Sequence, residues 1–144
     1  ANDLLTRLSD GRMSLRFVTQ KRTGSGSTAG IAETLDIFVS DGVGERAYED
    51  FSGGEQLRVN LAVRIAIGQV LAQRSGATIR TLLLDEVCSP LDQAGEDALV
   101  ECIGKLQSMF DCILLVTHRD SLKDRLPQQI EVVKGTNGSE VKVA

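Results

Sequence analysis

The sequence predicts an α/β fold, with parallel core strands and flanking helices, an antiparallel β layer before them and a β-hairpin at the end. Three observations carry this. Thr81–Leu84 and Cys112–Val116 are short apolar runs of the kind buried on both faces of a parallel sheet. Helical patterns fill Leu57–Ala72 and the stretch from Asp92 to about Gln107. Arg12–Gln20 and Thr34–Ser40 alternate instead, as half-buried antiparallel strands do.

A chain of 144 residues with 42% hydrophobic content can bury one core. Aromatics are scarce, four Phe and one Tyr, so Leu, Ile, Val and Ala must fill it. The net charge of −4 argues against a surface that grips nucleic acid all over, though it leaves room for a local basic patch. No apolar run approaches the ~20 residues of a membrane span and no signal-peptide pattern opens the chain, so a soluble protein is expected. Cys88, Cys102 and Cys112 are odd in number and unpaired in spacing, which reads as reduced packing thiols.

In chain order, Leu4, Leu5 and Leu8 mark a short helix that looks like the end of something longer, and Asp10-Gly11 turns it into the first strand. Lys21–Gly30, centred on Thr23-Gly24-Ser25-Gly26-Ser27, has the composition of a hairpin loop. Arg12, Arg16, Lys21 and Arg22 make a modest basic edge, read as a solvated strand face. The next pivotal stretch is Phe51–Gln56. Ser52 and Glu55 form a capping box, so a helix starts there with Gly53 and Gly54 in its first turn. Two glycines are poor helix formers, but they leave the free N–H groups and the positive helix end open to an anion. Ser-Gly-Gly is also an ordinary turn into a helix, so the phosphate reading depends on whether residues further along the chain supply the other parts of such a site. The helix itself is apolar around most of its girth and should be buried on more than one side. Arg58 reads as a surface charge; Arg64, deep in the apolar run, calls for a carboxylate partner.

The strand Thr81–Leu84 ends in Asp85-Glu86, two carboxylates where ligands bind in open α/β sheets. In a nucleotide-hydrolysing site the first would hold Mg²⁺ and the second the attacking water. Cys88–Asp92 is a tight loop, with Asp92 placed to cap the next helix. His118, the single histidine, lies at the end of the second core strand, on the same sheet edge as the carboxylates, and is a candidate phosphate sensor. Leu122–Leu126 reads as a short helix, and Asn137-Gly138 as a hairpin turn between the last two strands.

Ser52–Glu55, the strand ending in Asp85-Glu86, the Leu91-Asp92 pair and Thr117-His118 occur in the order of an ABC-type ATPase head. Within that superfamily the run Phe51–Ala66 resembles the SbcC-type double-strand-break repair ATPases, which are SMC-like. Their heads are split, and this chain resembles the C-terminal lobe: residues 1–9 the end of a coiled-coil helix, 10–50 a β layer, 51–144 the signature helix, Walker B strand, D-loop and His-switch. The resemblance implies that Ser52, Gly53, Gly54 and Glu55 meet the ATP of an opposing head, with Asp92 at the contact. It implies Asp85 for Mg²⁺, Glu86 and His118 for catalysis, and Arg64 for coupling nucleotide state to lobe rotation. Implied partners are the N-terminal P-loop lobe of the same protein, a second identical head, an SbcD-type metallonuclease and DNA, in the cytoplasm near the nucleoid. The sequence bears separately on the split, since Gly104-Lys105 is followed by Leu106 and no P-loop is encoded here. Gln56 departs from an arginine found in many relatives. Val87 stands where transporter ATPases have proline and is shared with SMC heads, so an SMC-type chromosome-organising ATPase stays open; a transporter nucleotide-binding protein fits less well.

Overall fold

The computed structural model describes residues 1–23, 30–88, 91–136 and 138–143. Of the loop read at Lys21–Gly30, residues 21–23 and 30 are instead strand, and 24–29 lie outside the described residues, as do Ser89-Pro90 and Asn137. Helix α1 (Asn2–Leu8) buries Leu4, Leu5 and Leu8. Asp10 and Gly11, with φ of 53° and 76°, make the sharp turn into the β layer. That layer is β1 (Ser14–Thr23), β2 (Gly30–Ser40) and β3 (Glu45–Ala47), antiparallel in that order, with Leu15 opposite Val39 and a register shift between Val18 and Gln20. A 3₁₀ turn over Tyr48–Asp50 leads to α2 (Gly53–Arg74).

The parallel pair is β4 (Thr81–Asp85) and β5 (Cys112–Val116), joined through α3 (Gln93–Leu106). The chain ends in the antiparallel hairpin β6 (Ile130–Gly135) and β7 (Gly138–Val143). Leu5, Leu8, Val39, Val59, Leu99, Cys102, Leu106 and Leu122 form the fully buried centre, where α1, the β layer, α2 and α3 meet.

Two expectations about burial are corrected. The core strands are covered on one face, not both: Leu84 is buried, whereas Leu83, Leu114 and Val116 are 60%, 44% and 47% exposed. Helix α2 is likewise buried through Leu57, Val59, Leu61, Ala62 and Ile65, while Ile67, Val70 and Leu71 face outward. Both arise because the described residues supply two parallel strands and helices for one side of them. Cys112 lies on the open side with Leu114 and Val116, so it is exposed, unlike the buried Cys88 and Cys102. The terminal hairpin is amphipathic as well: register places Ile130, Val132, Val141 and Val143 on one exposed face.

Glycines in α3 divide sharply. A Cβ on Gly95 would lie 2.9 Å from Leu91 Cβ and 3.2 Å from Asp92 Oδ1, whereas one on Gly104 meets nothing within 4 Å. Gly95→Ala is expected to destabilise by about 1–3 kcal/mol through overpacking. Gly104→Ala should stabilise by about 0.5–1 kcal/mol through helix propensity and chain entropy. Chemical denaturation of both variants measures the contrast, and equal effects would mean that α3 does not approach the 91–92 loop so closely.

Candidate functional site

The structure gathers the sequence-predicted residues in two groups, one around a shared cavity and one outside it. In the first, Ser52 caps α2 and the Glu55 carboxylate reaches back to its N–H at 2.9 Å and its Oγ at 2.7 Å, closing the capping box. The Ser52 side chain accepts the Glu55 N–H, which leaves the N–H groups of Gly53 and Gly54 without an intrahelical acceptor, as at any α-helix start. Asp92 caps α3 by accepting the Gly95 N–H at 2.8 Å. Ser52, Gly53, Gly54, Glu55 and Asp92 line one open cavity of about 480 Å³.

The two glycines do different work there. A Cβ on Gly53 would meet only Leu91 Cδ2 at 4.0 Å, but on Gly54 it would approach Ala98 Cβ to 3.2 Å. Gly54 therefore serves the close crossing of α2 and α3, and the expected opening toward an anion falls to Gly53.

In the second group, β4 ends at Asp85 and Glu86 follows with φ of 50°, a left-handed conformation that costs a non-glycine residue roughly 1–2 kcal/mol. The Glu86 N–H donates to Val116 O at 3.0 Å, which fixes it beside the end of β5. Its carboxylate meets His118 Nδ1 at 3.0 Å, so the structure pairs the two residues assigned to catalysis. Asp85 is exposed next to them. None of Asp85, Glu86 and His118 lines the Ser52–Asp92 cavity. Among the described residues no cluster of three or more His, Cys, Asp or Glu side chains could hold a metal alone. A magnesium ion needs only one or two carboxylates when phosphate and water supply the rest, and Asp85 fits that part.

The two arginines of α2 exchange the roles expected of them. Arg58 is the tethered one, with its side chain 13% exposed. It donates to Leu8 O at 3.1 Å, Gly54 O at 3.4 Å and the Glu101 carboxylate at 2.7 Å. Lys105 joins the cluster through Leu8 O, Asp10 and Glu101, and its ammonium is the main cause that holds both carboxyls below their usual range. Arg64 is exposed and has no carboxylate within ion-pair distance among the described residues. It stands at the open flank of α2 and shares a cavity of about 420 Å³ with Asp85.

Three contributors carry no sequence signal of their own. The Gln56 amide donates to Phe51 O at 2.9 Å and Tyr48 O at 3.3 Å, pinning the turn before Ser52. Arg12, read as part of a solvated strand edge, borders the Ser52–Asp92 cavity. Glu96 is buried in α3 and bonded to Arg119. The Arg119 guanidinium, with help from the Ser121 hydroxyl, holds the Glu96 carboxyl below the usual glutamate range. Burial pushes the Cys88 thiol up and the Cys102 thiol up to about 11, which makes both poor nucleophiles at neutral pH.

Against solved structures, the chain has the fold of SMC-type ATPase heads. A chain from work on ATP-driven dimerization and DNA-stimulated activation of SMC ATPases superposes with a TM-score of 0.62 at 22% identity, covering 99% of this chain and 80% of that one. The SMC head domain from Thermotoga maritima gives 0.61 at 18% identity, covering 99% and 45%. In sequence, the chain is similar to the SbcC component of the SbcCD nuclease, at 29% identity in Staphylococcus haemolyticus and 26% in Staphylococcus aureus. Each match covers 92% of this chain, which spans only 13% of those relatives' length. No family model matches. The chain thus resembles the C-terminal lobe of an SbcC/SMC-like ATPase head in both sequence and fold.

Because Glu96 is depressed in the folded state, its ion pair stabilises fully above the ordinary glutamate value of 4.5 and is lost as pH falls through the folded value. Arg119→Gln should therefore differ most from wild type near neutrality, and the two stability curves should converge below pH about 4.5. Urea midpoints across pH 3 to 7 test this; a gap that stays constant with pH would deny the pair any electrostatic share.

Proposed function

We propose that this lobe hydrolyses ATP as half of a split head, acting on DNA ends with a nuclease partner. The observation that carries the reading is the division of the site: Ser52–Glu55 and Asp92 line one cavity, and the Glu86–His118 pair lies outside it. One lobe so arranged serves two nucleotides, presenting its helix ends to one and its acid–histidine pair to the other. A second identical head supplies the opposite arrangement, and the N-terminal P-loop lobe supplies the phosphate cradle that these residues do not encode. The open faces of β4–β5, α2 and the terminal hairpin are apolar surfaces suited to that lobe.

The roles follow from chemistry. The N–H groups at Gly53 and Gly54 would meet a terminal phosphate at the positive end of α2. Asp85 would hold Mg²⁺, which supplies charge neutralisation when bound. Glu86 orients and deprotonates the attacking water, and His118 donates a hydrogen bond to the phosphate while its Nδ1 stays on Glu86. ATP-dependent pairing of heads would then govern an SbcD-type metallonuclease. A second reading, an SMC-type chromosome-organising head, draws on the fold likeness to SMC heads and on Val87.

Mg-ATP hydrolysis should be absent in this lobe alone and appear when the P-loop segment is added. In the complete head, Glu86→Gln should slow hydrolysis by roughly 10²-fold or more while ATP-dependent pairing persists. Ser52→Arg should abolish pairing and leave ATP binding by the P-loop lobe largely intact. Turnover unchanged in the first variant, or dimers still forming in the second, would remove those residues from the mechanism. Docking itself is read at Cys112, whose exposed thiol should react with an aromatic disulfide in the lobe alone and become shielded once the segment is bound. Undiminished labelling would place the segment elsewhere.

A further inference from the structure

One charge pair with a buried carboxylate joins α3 to the loop that carries His118. Glu96 lies in the first turns of α3, four residues after the cap Asp92, and its side chain is 3% exposed. Its carboxylate accepts from the guanidinium of Arg119, the residue that follows His118. A solvent-exposed pair would contribute little here, but removing the cation from a buried carboxylate is costly, so this contact holds its two elements together.

The loop on the other side of the pair is tied down at several points. The Arg119 N–H donates to Thr117 Oγ1 at 3.2 Å. Beyond it, the 3₁₀ turn over Asp120–Arg125 is anchored by the fully buried Leu122 and by Arg125, whose guanidinium is 2.8 Å from Asp97 on α3. His118 itself is different. Its ring is 75% exposed, and its side-chain partner is Glu86. The orientation of the ring therefore depends on the backbone at its neighbours, which α3 holds through Arg119.

We propose that Glu96 and Arg119 are positioning residues that fasten the His118 loop to α3, so that the Glu86–His118 pair moves with the helix whose N-terminus borders the Ser52–Asp92 cavity. The inference rests on the function proposed above. Its consequence is that the two groups of site residues in one lobe are mechanically linked: a displacement of Asp92 at a head contact carries Glu96, Arg119 and His118 with it. Neither Glu96 nor Arg119 touches the reacting atoms. Their effect is on the step that needs His118 and Glu86 in register, not on the binding of nucleotide.

The test is steady-state ATP hydrolysis by the complete head, P-loop segment included, with Glu96→Gln, Arg119→Gln, Arg119→Lys and the double variant Glu96→Gln with Arg119→Gln. Each glutamine variant should lower kcat by roughly tenfold, as loss of an outer-shell partner commonly does, with KM for ATP and ATP-dependent pairing unchanged. The double variant should lose no more than either single one, because both break the same contact. Arg119→Lys should recover part of kcat. Unchanged kcat in the singles, losses that multiply in the double, or a parallel fall of kcat, KM and pairing would each overturn the proposal, the last by showing that the pair only holds the fold. A wild-type head that hydrolyses no ATP overturns the functional reading and this proposal together, which is distinguishable from an active wild type whose variants retain kcat.

Discussion

The crossing of α2 on α3 at Gly54 is the contact on which the rest of the lobe depends. Ala98 Cβ, Ala94 O and Gly95 Cα all lie within 4 Å of where a Gly54 side chain would begin, so the two backbones approach as closely as small residues allow. That approach brings two helix N-termini, capped by Ser52 and Asp92, to one cavity. It also sets where β4 and β5 lie, because α3 is the crossover between them. The carboxylate edge and the glycine turn are thus fixed relative to each other by one helix pair.

Charge reinforces this frame where α1 meets the helix pair. Leu8 O, at the C-terminus of α1, receives both Arg58 and Lys105, and Glu101 on α3 accepts from the same two cations. Cations at a helix C-terminus meet unsatisfied carbonyls and the negative end of the dipole, so the grip is favourable as well as directional. Three helices are therefore tied at a single charged node. Arg58 itself lines the Ser52–Asp92 cavity, so that cavity is joined to α1 by a direct hydrogen bond.

The element pattern was legible because it rests on local rules. The capping box at Ser52, the cap at Asp92 and the alternation around Leu15 and Val39 are all decided by near neighbours, and the structure has each of them. Burial was not legible, since periodicity reports that a side chain seeks apolar surroundings and not whether the chain in hand supplies them. Leu83, Leu114, Ile67 and Leu71 read as core and stand exposed for that reason. The arginines of α2 failed likewise: Leu61, Ala62 and Ile65 around Arg64 are buried, but Arg64 shares the helix flank of Ile67 and Leu71, which is uncovered. Arg58 owes its burial to partners 50 and 43 residues away, Leu8 and Glu101. Pairing of Glu86 with His118 could be anticipated only as far as a shared sheet edge; contact required β4 and β5 to be adjacent and in register.

Exposure of the apolar sheet face bears on why catalysis would be shared between lobes. On the proposed function the carboxylates of Asp85 and Glu86 would take a cation and phosphate opposite them, whereas Gly53 and Gly54, whose helix end suits an anion, line a cavity to which neither carboxylate belongs. Moving them together would require α3 to shift, and α3 is held to α2 by the close approach at Gly54 and to the His118 loop by the Glu96–Arg119 contact. On the proposed function, association with other lobes would complete the site, and assembly would then depend on the ligand that the lobes share.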